Sequence, residues 1–302
     1  MIHKQKRLNS WQRKENLWGY LFIAPSMIGF FLFVLYPLLA IFVYSVYDRN
    51  LLTGEITFIG LTNYNTMLFN DPLFIKTMRN SLVFTIGLVP LNITMGLIFA
   101  ILLERQTSIS RFFQTVFFVP VVTSAVAWSI VWRFILQGQH GVVNQTLALI
   151  GINGPIWLYE PNTAMFSVIF TRAIKGAGLS MVMFLSALSN IPNDFRDAAR
   201  VDGANEWHVF RHITFPLLAP TTLMVIIITT IGSLKVFDTI MLLTNGGPSN
   251  ATTVLVYYIY YQAFRFFETG YSSALAVVLF LVAFTLTVIQ WRLRRRWVHA
   301  EE

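Results

Sequence analysis

Long apolar runs alternate with short polar segments along the chain, and the runs have the length of membrane crossings. The first extends from Asn16 to Tyr47; others cover about 81–103, 112–132, 219–234 and 269–291. About twenty apolar residues in a helix span a hydrocarbon core. A further segment, 164–189, is apolar except for Arg172 and Lys175. The pattern predicts an all-α polytopic membrane protein with six transmembrane helices, at about 17–47, 81–103, 112–135, 164–189, 219–243 and 269–291. Pro25 and Pro37 in the first, Pro90 in the second and Pro120 in the third predict kinks, tolerable where neighbouring helices satisfy the freed carbonyls. Kinks open a central cavity or merely set helix tilt, and the sequence alone does not separate the two.

Composition changes this picture little: of 302 residues 55% are hydrophobic and only 12% charged, which excludes an ordinary soluble globule. The absence of cysteine excludes disulfide scaffolds and thiolate metal sites. The first apolar run is too long for a signal-peptide core, so an uncleaved first span is expected. The net charge of +8 suggests nucleic acid until its placement is considered. Lys4, Lys6, Arg7, Arg13 and Lys14 precede the first span, and Arg292, Arg294, Arg295 and Arg296 follow the last. Arg105, Arg111, Arg196, Arg200 and Arg211 fall in loops on the same side, against Arg49, Lys76, Arg79 and Arg265 on the other. The positive-inside rule makes the richer side cytoplasmic, with both termini there, in a multi-pass protein of the cell membrane. One membrane domain, 17–291, is therefore expected between a basic N-terminal segment, 1–16, and a basic tail, 292–302. The N-terminal segment suits an interfacial helix anchored by Trp11, and the outer loops 48–79 and 137–163 suit small capping helices.

Between the fourth and fifth spans lies a water-soluble hairpin, 190–216. Pro192 suits a first helical turn, with Phe195, Ala198, Ala199 and Asp202 at helical intervals behind it. Gly203 offers a left-handed stop and Asn205 a cap for a second helix. Trp207, Phe210 and Ile213 give that helix an apolar stripe, which Pro216 ends. Such a hairpin is either a docking surface or an ordinary amphipathic loop.

The run D-A-A-x-x-D-G-A from Asp197 to Ala204, followed by F-x-x-I-x-x-P and a second proline, resembles the loop motif of ATP-binding-cassette importer permeases. The family form begins Glu-Ala-Ala, whereas this chain has Asp197 first. GLTNYNTMLFNDPLF (60–74), VFD (236–238), LLTNGGP (242–248) and GYSSALA (270–276) extend the likeness from about residue 20 to 291. They are similar to the sugar-transport branch, of the maltose and glycerol-phosphate type. The resemblance implies an importer-type permease fold and a coupling helix in which Asp197, Ala198, Ala199, Asp202, Gly203 and Ala204 meet an ATPase subunit. It implies as partners a second homologous permease, two ATPase subunits carrying the ATP and magnesium, and an extracytoplasmic solute-binding protein. The outer loops and the segment Thr244 to Pro248 would face that binding protein.

Charges at bilayer depth cost roughly 2.5–3.5 kcal/mol on insertion scales, so Arg133, Arg172, Lys175, Lys235 and Asp238 need partners or water. Arg133 suits snorkelling from the outer end of its span. Arg172 and Lys175 are three apart, and so are Lys235 and Asp238, which invites pairing. The two polar faces make either a hydrated path or helix-packing ion pairs. Resemblance implies a sugar site at mid-membrane, where the matching positions are Arg172, Lys175, Gly176, Leu179, Thr229, Gly232 and Ser233, with Phe237 and Asp238 beside them. A cation at 175 is common in the family whatever the solute, so the two cations are not read as a preference for anionic sugars. His208 and His212 have metal-pair spacing without an evident third ligand. There is no H-E-x-x-H and no G-x-x-x-x-G-K-[ST] phosphate loop, so the expected protein is no enzyme and binds no cofactor of its own. Energy must come from a partner. The alternative is an ion-coupled carrier or channel using Arg172, Lys175 and Asp238; a membrane-embedded enzyme lacks any catalytic constellation.

Overall fold

The computed structural model describes residues 10–105 and 107–297; Lys4, Lys6 and Arg7 of the basic N-terminal segment and the end of the tail, 298–302, lie outside the described residues. The first span is α1 (Ser10–Phe30), a π-helical turn (Phe31–Leu35) and α2 (Tyr36–Tyr44). A small antiparallel hairpin follows, β1 (Tyr47–Arg49) with β2 (Ile56–Phe58), then α3 (Thr62–Asn65). The remaining helices are α4 (Pro72–Leu102), α5 (Ser108–Val122), α6 (Ala125–Ile135), α7 (Val142–Leu149), α8 (Pro161–Ser189), α9 (Asn193–Val201), α10 (Glu206–Val209), α11 (Phe215–Leu217), α12 (Ala219–Leu234), α13 (Asp238–Leu243), α14 (Leu255–Phe264) and α15 (Thr269–Trp297). Among the described residues the regular structure is thus helical but for two three-residue strands, which the apolar pattern does not predict. Asn50 explains the hairpin: its side-chain oxygen accepts from the Leu52 amide at 2.8 Å, and Gly54 supplies the positive φ of the turn.

Four helical segments are long and apolar enough to cross a membrane: Trp18–Tyr44, Pro72–Leu102, Pro161–Ser189 and Thr269–Arg292. The expected third and fifth spans are not single helices. α5 and α6 meet at a bend of 106°, and the helical run Glu206–Leu217 meets α12 at 63°. At the first break Thr123 and Ser124 adopt extended backbone, and the Ser124 hydroxyl caps α6 by accepting from the Val126 amide. At the second, Pro216 does not end the hairpin helix. A π turn (Phe210–Thr214) loosens the register ahead of it, and the chain turns at Leu218, between Pro216 and Pro220. The expected span to residue 243 also stops early, at Leu234, because Lys235–Phe237 break the helix before α13.

The central helix is α8, half of whose apolar window is buried, whereas no residue of the first span's window is. α8 packs along α4 through small residues. A Cβ on Gly96 would collide with Ser180, and one on Gly87 would come within 2.8 Å of Ile169. Phe84, Leu88, Val168, Ala173, Ile240 and Val254 form the core on the side of the outer loops. Ala100, Met181, Phe184, Leu188, Leu218 and Val225 form the core towards the hairpin. α4 begins at a capped end, the Asp71 carboxylate accepting from the Leu73 and Phe74 amides at 2.9 and 3.2 Å. Its other oxygen accepts from the Tyr258 and Tyr271 hydroxyls at 2.7 and 2.5 Å, joining α4, α14 and α15 at one point.

The segment between α13 and α14 is closely tied. Thr252 donates to Gly247 O at 2.8 Å, Thr253 donates to Gly246 O at 2.9 Å, and the Tyr257 hydroxyl donates to Asn245 Oδ1 at 2.8 Å. From α4, Lys76 donates to Ser249 O at 2.6 Å, and Asn80 donates to the carbonyls of Asn250 and Thr253, each at 2.9 Å.

Candidate coupling hairpin and translocation cavity

α9 ends where Gly203 reaches a φ of +84°, and the Gly203 and Ala204 amides donate to Arg200 O and Ala199 O at 3.0 and 2.9 Å. This paired return of amides onto the last turn satisfies carbonyls that a helix end leaves open. Asn205 Oδ1 then accepts from the His208 amide at 2.8 Å and starts α10. Pro192 stands one place outside α9, as its N-cap. Arg200 closes the hairpin from within, reaching Asp197 at 3.1 Å and Glu206 at 3.0 Å. Its guanidinium proton is held even above its usual range, first by the hydrogen bond to Glu206 and then by that carboxylate's charge. Asp197 is therefore engaged inside its own helix while most of its side chain faces water.

Among the described residues, one ion pair ties the hairpin to the long helices: Arg196 meets Glu104, just beyond α4, at 2.7 Å. The outward face carries Ala198, Asp202 and Gly203, together with large apolar side chains at Phe195, Val201 and Trp207. Along the second helix the Trp207 and Phe210 rings lie 5.7 Å apart; Trp207 is 66% exposed, Phe210 and Ile213 are half-buried, and Val209 and Thr214 are buried. His208 and His212 stack on this hairpin with ring centroids 4.1 Å apart.

Deeper in the bundle, a cavity of about 360 Å³ opens between α4, α5, α8, α12 and the start of α13. Arg172, Lys175, Gly176, Leu179, Thr229, Gly232 and Asp238 all line it, so positions from both predicted helices converge. Ser233 and Phe237 do not line it. The Ser233 hydroxyl turns towards α4, donating to Thr85 Oγ1 at 2.9 Å and to Thr230 O at 2.7 Å. The Phe237 ring packs edge-on against Tyr260 at 4.8 Å between centroids. Lys235 and Asp238 form no ion pair among the described residues: Lys235 is an exposed C-cap, and Asp238 accepts from the Thr239 amide at 2.8 Å. The helix break between them turns the two side chains apart.

Asn92 was not foreseen in this wall. It joins α4 to α8 by donating to Ala173 O at 3.3 Å and accepting from the Ser180 hydroxyl. A Cβ on Gly176 would strike the Asn92 amide, whereas one on Gly232 would meet nothing within 4 Å. Gly176 is thus small because Asn92 crosses there; Gly232 is small beside open space. Arg172 keeps its buried Nε without a hydrogen-bond partner. The Lys175 ammonium reaches the α5 terminus, donating to Pro120 O at 2.8 Å and Thr123 O at 2.7 Å. A second cavity, about 860 Å³, lies between α4, α12 and the hairpin, with Ile93, Leu97 and Ile226 on its walls and Arg196, Arg200 and Glu206 towards the hairpin. Nothing in the apolar periodicity announced it.

The fold is thus a bundle of broken helices with a cavity between them and a polar hairpin at one end. Residues 92–299 match the family described as binding-protein-dependent transport system inner membrane component, and the chain belongs to that family. The lactose transport system permease protein LacF of Rhizobium radiobacter is 37% identical over 292 residues, covering 94% of this chain and 96% of that protein. The arabinooligosaccharides transport system permease protein AraP of Bacillus subtilis (strain 168) is 32% identical over 277 residues, 91% of this chain and 87% of the relative. A chain of a bacterial ABC transporter involved in the import of the acidic polysaccharide alginate superposes with a TM-score of 0.83 at 24% identity, over 95% of this chain and 98% of that one, which shows the shared fold.

Proposed function

We propose that the chain is the transmembrane subunit of an ATP-driven, binding-protein-dependent importer of a carbohydrate, an oligosaccharide or glycoside. The observation that carries this reading is the Asp197–Ala204 motif folded as a closed, tethered knuckle with apolar side chains turned outward. Relatives named for lactose and arabinooligosaccharide transport support the solute class. Two ATPase subunits supply ATP and magnesium, one docking on this hairpin and one on a second, homologous permease. A solute-binding protein delivers from outside to the loops around Thr244 to Pro248.

In this reading the chain crosses the cytoplasmic membrane six times with both termini inside, and the bent pair α5–α6 is one crossing. The ends of that pair support a crossing: Glu104, before α5, sits on the hairpin, while Leu136, after α6, packs with Val254 of the outer segment. Solute occupies the cavity, with Arg172, Gly176, Leu179, Thr229, Gly232 and Asp238 beside it. Polar groups set among apolar ones suit a polyol, whose hydroxyls need partners and whose ring faces need cover. Closure of the ATPases moves the hairpin, Arg196–Glu104 passes that motion to α4, and the cavity turns outward; hydrolysis returns it.

The test is reconstitution with the co-purifying subunits and measurement of ATP hydrolysis stimulated by carbohydrate-loaded binding protein. Stimulation by a sugar, lost when the hairpin is deleted from an inserted chain, is the expected result. Uptake by the chain alone on an ion gradient would overturn it.

A further inference from the structure

The break between α5 and α6 leaves the last carbonyls of α5 without helical amide partners. Such a helix end needs another donor, and a cation suits the negative end of the helix dipole. One side chain meets both needs. The Lys175 ammonium, from the middle of α8, donates to Pro120 O at 2.8 Å, to Thr123 O at 2.7 Å and to Thr123 Oγ1 at 3.4 Å. Those contacts match its three donors, which leaves none over for a solute. The Thr123 hydroxyl itself donates to Pro120 O at 2.7 Å, so the threonine is held as part of the same cap.

The other half of the span is held from the same face of α8. The Trp128 indole of α6 donates to Thr171 O at 3.1 Å, and its ring lies 5.8 Å from the Lys175 ammonium. Residues 171 and 175 are one helical turn apart, so consecutive turns of α8 grip α6 and α5 on either side of the 106° bend. Directly below, a Cβ on Gly178 would collide with Phe117 O, which brings the α5 backbone into contact with α8.

We infer that Lys175 is a positioning residue that fixes the angle of the broken third span by capping α5, and is not a ligand of the transported solute. The inference refines the proposed function, because Lys175 also borders the cavity. Solute selectivity then falls to Arg172, whose buried Nε has no partner, and to Asp238. The bend becomes a joint held on the α5 side by a charge and on the α6 side by the Trp128 indole.

The chain has no cysteine, so introduced cysteines at the exposed positions Ile109 and Phe134 can carry spin labels on either side of the bend. Each arm is roughly 15–20 Å long at about 1.5 Å per residue, so a 20° change in the bend moves the label pair by about 5 Å. In the assembled transporter in lipid, Lys175→Met should shift or broaden that distance by this amount, with loss of turnover and an unchanged KM for loaded binding protein. Lys175→Arg, which keeps charge and donors, should restore the distance. An unchanged distance with a raised KM would overturn the inference and make Lys175 a solute ligand; no change in either would also overturn it. If the methionine variant does not assemble, Thr123→Val is measured instead, and an unmoved distance there has the same force. The distance measurement needs no solute, so a failure of the carbohydrate reading shows separately, as absence of sugar-stimulated hydrolysis.

Discussion

Single residues separate backbone demands from packing demands. At Gly203 a Cβ would meet nothing within 4 Å, yet φ is +84°, so the position needs glycine for its backbone alone. Gly203→Val is expected to distort the knuckle and uncouple binding protein from ATP hydrolysis while leaving the membrane helices folded. Stimulated and basal hydrolysis, compared with circular dichroism, check this. Gly176 and Gly232 make the opposite pair in the cavity wall. Gly176→Ala forces the Asn92 amide aside and should lower stability by about 1–3 kcal/mol, as overpacking does. Gly232→Ala fills open space, so thermal stability should hold while solute affinity changes. The likeness to a known family placed both glycines beside the solute, but only coordinates distinguish them, because the partner of Gly176 lies on another helix 84 positions earlier. Ser233 shows the same limit. Its hydroxyl suits a polyol, but one turn of α12 aims it at Thr85.

At the level of helices, the sequence was most legible where periodicity and capping agree. α4, α8 and α15 are long and apolar, and Gly203 and Asn205 mark the hairpin turn in the sequence as clearly as in the fold. The breaks were harder to see. Pro120 announces a kink, but a 106° turn also needs the extended pair Thr123–Ser124 and a lysine 55 positions after that proline to close the helix end. The tether between hairpin and α4 likewise joins distant residues. Glu104→Gln removes the anionic partner of Arg196, whose Nε and one terminal nitrogen are already buried and unpaired. That change should cost roughly 1–3 kcal/mol locally and weaken transmission from hairpin to α4. Hydrogen exchange of the α9 amides, read beside coupling efficiency, tests it; unaltered exchange with full coupling would exclude the tether.

For the molecule as a whole, the helical, membrane-crossing character was legible in the apolar runs, while the joining of helix ends around Asp71 was not, since it depends on hydroxyls. Tyr258 is an example: burial, then its hydrogen bond to Asp71, raises its phenol well above the ordinary value of 10.0. Below pH 10 both folded and unfolded chains keep that proton, so its contribution to stability is complete there. Above pH 10 the unfolded chain loses the proton first, and stability should fall as pH rises. The slope of Tm between about pH 9 and 11 should be shallower for Tyr258→Phe. The segment between α13 and α14 adds a consequence for assembly. Six donors, from Lys76, Asn80, Thr252, Thr253 and Tyr257, already hold its carbonyls and side chains in place. A protein landing on this surface meets a finished mould and has little chain entropy to quench, so encounter should proceed as rigid-body docking, with only a modest heat-capacity change.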